Sequence, residues 1–178
     1  QSPEFLEDML AFLRRIAAPA QANMTAQVTL RHLVPGICDM PQGTELLDLG
    51  LGLSGDRGPV DFTMRQELLS GPASHGTFKI KLIADLLQLR KRHDTLFIEG
   101  AYRPLPVEGP RAQHVIAFAR AAAGQELLCA VQVRCAAALA GTTALVPSAE
   151  WWGDTEIVAP TGRYSAVDCF MDMPAFIQ

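Results

Sequence analysis

Apolar residues recur at three- and four-residue spacing from the start of the chain: Phe5, Leu6, Met9, Leu10, Leu13, Ile16 and Ala17 mark one face of a helix. Ser2 before Pro3 suits an N-cap and a first helical position. The pattern predicts a second helix capped by Asn23, with Val28, Leu30 and Leu33 on its apolar face and Pro35-Gly36 at its end. Residues 37–40 then read as a short buried strand. Residues 41–59 have many glycines and little periodicity, and loops of that length in a compact chain are usually functional or disordered. Asp61 can cap a helix running to Leu69. Thr77 can cap a longer one in which Phe78, Leu82, Ile83, Leu86, Leu87 and Leu89 form the stripe. Its basic end, Arg90-Lys91-Arg92-His93, suits the negative end of the helix dipole, an anion site being the other reading. Residues 70–76 form a Gly/Pro/Ser linker.

From Glu99 the pattern changes. Residues 101–107, 114–120, 126–133 and 155–158 are short β-rich runs broken by Gly109-Pro110, Gly124 and Gly153, as in an antiparallel sheet or sandwich. Residues 136–149 fit either helix or strand. The expected class is α+β, with helices in residues 1–97 and an antiparallel β domain in residues 98–178.

Composition narrows the function classes. With 178 residues, 49% hydrophobic and 19% charged, the chain can bury a real core. Its net charge of -4 gives no electrostatic reason to expect nucleic acid or an anionic membrane as partner. Residues 127–146 are apolar, but Arg134 interrupts them, so a buried strand pair is expected there rather than a membrane span. Cys38, Cys129, Cys135 and Cys169 form no CxxC pair and have no His at zinc-ligand spacing; no metal or other cofactor is expected, and reduced thiols suit a cytoplasmic chain. Glu4, Glu7 and Asp8 stand where a signal peptide would carry basic residues.

The densest cluster of polar chemistry is PGICDMPQGTELLDL at 35–49. It resembles the PGxPDxYQGTEL motif of the maltooligosyltrehalose synthases, relatives of the α-amylases in glycoside hydrolase family 13. Further pieces follow that family's order: FLEDMLAF at 5–12, NMTAQ at 23–27, GPVDF at 58–62, KLIADLLQLRKRH at 81–93, YRPLPVEGPRAQHVIAFAR at 102–120 and WGDTEI at 152–157. The resemblance covers about Phe5 to Asp168. It implies that the chain is a C-terminal part of such an enzyme, one that converts the reducing-end α-1,4 linkage of a maltooligosaccharide to α,α-1,1. The helical half would then complete a (β/α)8 barrel, with residues 37–40 as its last strand and loop 41–61 on its catalytic face. Asp39, Gln42, Glu45, Asp56, Arg57, Asp61 and Lys79 are the implied substrate-binding residues; capping or bracing the loop is the alternative role for each.

Several positions depart from the family's pattern. Cys38 and Pro41 stand where it has proline and tyrosine, and Leu47 where it has tryptophan. LSGDRGPVD at 53–61 replaces DPDNRRPVD. A retaining transglycosylation needs two carboxyl groups about 5–5.5 Å apart. The family's catalytic acids lie upstream of anything matched here, so no residue of this chain is expected to be catalytic. Ser70, Ser74 and His75 lack the setting of a nucleophile elbow, and Gly50, Gly52 and Gly55 form no dinucleotide fingerprint. Trp151-Trp152 can stack on sugar or pack in the β domain. The expected partners are a maltooligosaccharide or α-glucan, weakly held, and either a second copy or an upstream catalytic region covering Phe5, Leu6, Leu10 and Leu13. The alternatives are a non-catalytic glucan-binding or protein-interaction module, or an inactive remnant.

Overall fold

The structure, a computed structural model, describes residues 2–47, 59–72, 74 and 76–159. It is α+β. Four helices come first: α1 (Pro3–Leu33), α2 (Phe62–Ser70), α3 (Phe78–Arg92) and α4 (Asp94–Ile98). Strands β1 (Ala101–Pro104), β2 (Val107–Glu108), β3 (Val115–Ala122) and β4 (Gln125–Gln132) follow, then the short helices α5 (Ala136–Leu139) and α6 (Ala149–Trp152), and last β5 (Glu156–Ile157). The strands pair antiparallel, β1-β3-β4 in one sheet and β2-β5 in another.

The predicted α3 stripe, except Leu87, which is exposed, forms the centre of the molecule. Phe78, Leu82, Ile83 and Leu86 pack with Val28 and Leu33 of α1, Phe97 of α4, Phe118 of β3 and Cys129 of β4. The sheet alternates as a period-two strand must. Phe118 sits in that helical core, while its neighbours Ala117 and Ala119 join Leu105 in a second cluster. β3 is therefore covered on both faces. Ala123 and Gly124, both at positive φ, form the two-residue turn to β4, the backbone that hairpin twist favours.

Four expectations need correction. The two N-terminal helices are one: α1 runs through Pro19 without a break, and Asn23 lies inside it. Proline removes one backbone donor there, but the alanines at 17, 18, 20 and 22 have the strongest helix propensity and carry the helix across. Residues 37–40 form no strand; they pair with no strand among the described residues, and Ile37 is 97% exposed. Residues 127–146 are not a strand pair, since β4 ends at Gln132 and α5 follows. Thr77 precedes α3 but caps nothing with its side chain; its hydroxyl turns back to the Pro72 carbonyl.

The largest unpredicted feature is Arg120 of β3, 2% exposed. Its guanidinium donates to the carbonyls of Leu33 at the end of α1 (3.3 Å), Leu96 (3.2 Å) and Phe97 (3.1 Å) in α4, and Gly100 (3.0 Å). Last-turn carbonyls have no partner within their own helix, and Arg120 supplies one. Gly100 permits this close packing, because a Cβ there would lie 2.0 Å from the Leu96 carbonyl oxygen. Arg90 serves a neighbouring carbonyl, that of His32. The basic end of α3 thus closes the end of another helix.

Candidate functional site

The loop after α1 begins where Gly36 takes positive φ, beyond a Val34 amide still bonded to Leu30. Arg31 holds the next stretch by donating to the Asp39 carbonyl at 3.3 Å. Thr44 closes a turn over Pro41, its hydroxyl donating to the Pro41 carbonyl at 2.6 Å. Gly43 sits at φ 91 with Val60 Cγ2 only 3.2 Å from a hypothetical Cβ, so both its backbone conformation and its surroundings favour glycine.

Arg65 of α2 ties this loop to the helix that follows it. Its Nε donates to Glu45 at 3.0 Å, one terminal nitrogen to the Gly43 carbonyl at 3.1 Å, and the other to the Asp61 carbonyl at 2.9 Å. Burial pushes the Glu45 carboxyl up. Hydrogen bonds from its own amide, from Arg65 and from the Gly43 amide outweigh that effect and hold it below the ordinary carboxylate range. Asp61 caps α2 as expected, accepting from the Met64 amide at 2.9 Å. Lys79 reaches across from α3 to the Leu46 carbonyl at 3.3 Å.

The structure therefore brings Glu45, Asp61 and Lys79 together around the loop backbone. Asp39 and Gln42 lie on the same loop with exposed side chains. Asp56 and Arg57 lie outside the described residues. Arg65 was missed by sequence reading, although its position four residues after a capping aspartate puts it on the same helical edge. Trp151 and Trp152 stand edge to face at 4.9 Å, pack against a cluster of Ala18, Ala22, Cys135 and Leu139, and receive the Arg111 guanidinium 4.7 Å above the Trp151 ring. That is a packed arrangement, with both rings half-buried. Among the described residues no cluster of His, Cys, Asp or Glu could hold a metal, and no helix is long and apolar enough to cross a membrane.

No family model matches the chain. Curated proteins bearing the name maltooligosyl trehalose synthase, from two strains of Mycobacterium tuberculosis, are 33% identical over 175 residues, 96% of this chain and 22% of their own length. A solved structure of a mutant maltooligosyltrehalose synthase from Arthrobacter ramosus aligns with a TM-score of 0.60 and 31% identity, covering 86% of this chain and 19% of that one. The chain is thus an α+β homologue of part of a much longer enzyme. That enzyme is maltooligosyltrehalose synthase, and the chain spans about a fifth of it, consistent with a C-terminal part.

Proposed function

We propose that this chain serves maltooligosyltrehalose synthesis as the C-terminal part, or a truncated homologue, of an enzyme of glycoside hydrolase family 13, and supplies one wall of the glucan cleft rather than the reacting groups. The observation that carries this is similarity along nearly the whole chain, including the loop at 35–49. The helical residues 1–97 would stand where the family's barrel closes, and residues 98–178 would form its C-terminal β domain, a sandwich in the family reading. The cytoplasm suits such a role. Among the described residues, Glu45, Asp61 and Lys79 hold the loop's shape, and Asp39 and Gln42 are the exposed side chains offered to sugar hydroxyls.

The isolated chain should form no trehalose-terminated product from maltopentaose, because the nucleophile and acid of a retaining mechanism lie upstream in the family. Product that co-purifies with the chain and is lost in Glu45→Gln would refute this. Titration calorimetry with maltoheptaose should give a dissociation constant of about 1 mM, roughly -4 kcal/mol, weakened by Gln42→Ala. Micromolar binding abolished by that substitution would favour a dedicated glucan-binding module instead. A second reading, a protein-interaction module, is favoured by one observation: Phe5, Leu6, Leu10 and Leu13 of α1 are all exposed.

A further inference from the structure

The turn that carries Gln42 is held by a closed ring of hydrogen bonds. The Thr44 amide donates to the Pro41 carbonyl at 3.2 Å, which makes Gln42 and Gly43 the central residues of a four-residue turn. Gly43 has a φ of 91°, the positive value that the third position of a type II turn demands. The Gly43 amide donates to one oxygen of Glu45 at 3.2 Å, the other oxygen accepts from Arg65 Nε at 3.0 Å, and Arg65 returns to the Gly43 carbonyl at 3.1 Å. Both backbone polar groups of Gly43 are thus tied into one circuit, which fixes the two peptide planes on either side of it.

The chemistry of the circuit sets the role of its members. Arg65 spans Glu45 and the Gly43 carbonyl with two nitrogens, while its third anchors to the Asp61 carbonyl at 2.9 Å, just ahead of α2. A planar guanidinium offers donors in such a fork; a lysine ammonium is a single point of charge. Glu45 accepts from Arg65, from the Gly43 amide and from its own amide, so three of about four acceptor sites on the carboxylate are filled. Its side chain is 24% exposed and that of Arg65 13%. A carboxylate so occupied is a poor sugar ligand. Gln42 differs, since its side chain is exposed at the corner of the turn. The ring closes entirely within this chain, so it holds whatever lies against the loop.

We propose that Arg65 and Glu45 are positioning residues for glucan recognition: together they preset the turn from which the Gln42 amide meets a sugar hydroxyl, and Glu45 itself touches no sugar. This gives Glu45 a different task from the substrate contact implied by the family motif, and it rests on the glucan-cleft reading above. A turn ordered in advance spares binding the cost of ordering it, which raises affinity without adding a contact.

Maltoheptaose titrations of the 178-residue chain by nitrogen–proton NMR test it, read at the Gln42 side-chain amide and the Gly43 backbone amide. Arg65→Met should move the Gly43 signal in the sugar-free chain, weaken binding about three- to tenfold and shrink the sugar-induced shift at Gln42. Arg65→Lys, which keeps the charge and most of the stem, should recover little of it. Glu45→Ala should weaken binding to the same degree as Arg65→Met, and the two together no more than either alone, because they act as one unit. Lys81→Met frees the far end of α2 from bonds to the Leu69 and Gly71 carbonyls; it should lower stability and leave sugar binding unchanged. Losses that add in the double variant overturn the proposal by giving Glu45 a sugar contact of its own. Equal weakening in Lys81→Met overturns it by assigning the effect to stability. Unchanged binding in Arg65→Met overturns it and leaves the glucan reading standing, whereas a wild-type chain with no sugar-induced shift at Gln42 overturns both.

Discussion

Two arginines organise two regions of this molecule in opposite ways. Arg120 is buried in the helix–sheet core and donates only to backbone carbonyls, whereas Arg65 stands near the surface and holds the carboxylate of Glu45 as well as two carbonyls. The first joins the ends of α1 and α4 to the sheet; the second shapes a loop without burying it. Rigidity and accessibility are thus separated along the chain. The part that resembles a sugar-binding loop is braced from below, while its Asp39 and Gln42 side chains remain free.

The sharpest way to break the contrast is Arg120→Met. It strips donors from four carbonyls, three of them buried, and an unsatisfied buried acceptor costs about 1–3 kcal/mol, so a loss of roughly 3–5 kcal/mol is expected in a urea melt after partial relief by water. Glu45→Gln should cost only about 1 kcal/mol, because the pair is partly hydrated and Arg65 keeps its carbonyl partners. Faster amide exchange around residues 43–46, with none in α3, would show that the effect stays local.

Acid should separate the regions by pH. His32, fully buried, donates from Nδ1 to the Val28 carbonyl at 2.8 Å, and burial is the main cause that lowers its pKa below 6.5. The unfolded chain then takes up the proton first. Stability from this neutral imidazole is complete above pH 6.5 and falls as pH drops towards the folded value. Glu45 has a lowered pKa, so its contribution is complete above about pH 4.5 and is lost as pH falls through its folded value. The core near His32 should weaken before the loop does, which melts at stepped pH of wild type and a Glu45→Gln control would reveal. The smallest effect is expected for Asp39→Asn: stability should change by less than about 0.5 kcal/mol, with any difference confined to sugar titrations.

Much of this was legible in the residues, and what was not has a common cause. The α3 stripe, the Asp61 cap and the strands that became β3 and β4 follow from periodicity and capping chemistry, which are local. The loop at 35–49 was found by its residue types. Arg65 and Arg120 were missed because their acceptors are mostly backbone carbonyls, which every residue carries and no motif marks. The strand expected at residues 37–40 failed for a related reason: a strand needs a neighbour, and the described residues provide none there. Pro19 misled in the other direction, since a single missing donor was outweighed by the alanines around it.

The reach of Arg120 also sets an order of events during synthesis. The Leu33 carbonyl it serves lies 87 residues earlier in the chain. A ribosome adding about 5–20 residues per second therefore exposes the end of α1 for several seconds before its partner exists. Through that interval α1 and α3 can meet, but the helix ends between them still face water. The hairpin of β3 and β4 should close this helix–sheet core as a single step that couples α1 to a much later part of the nascent chain, before α5, α6 and β5 dock.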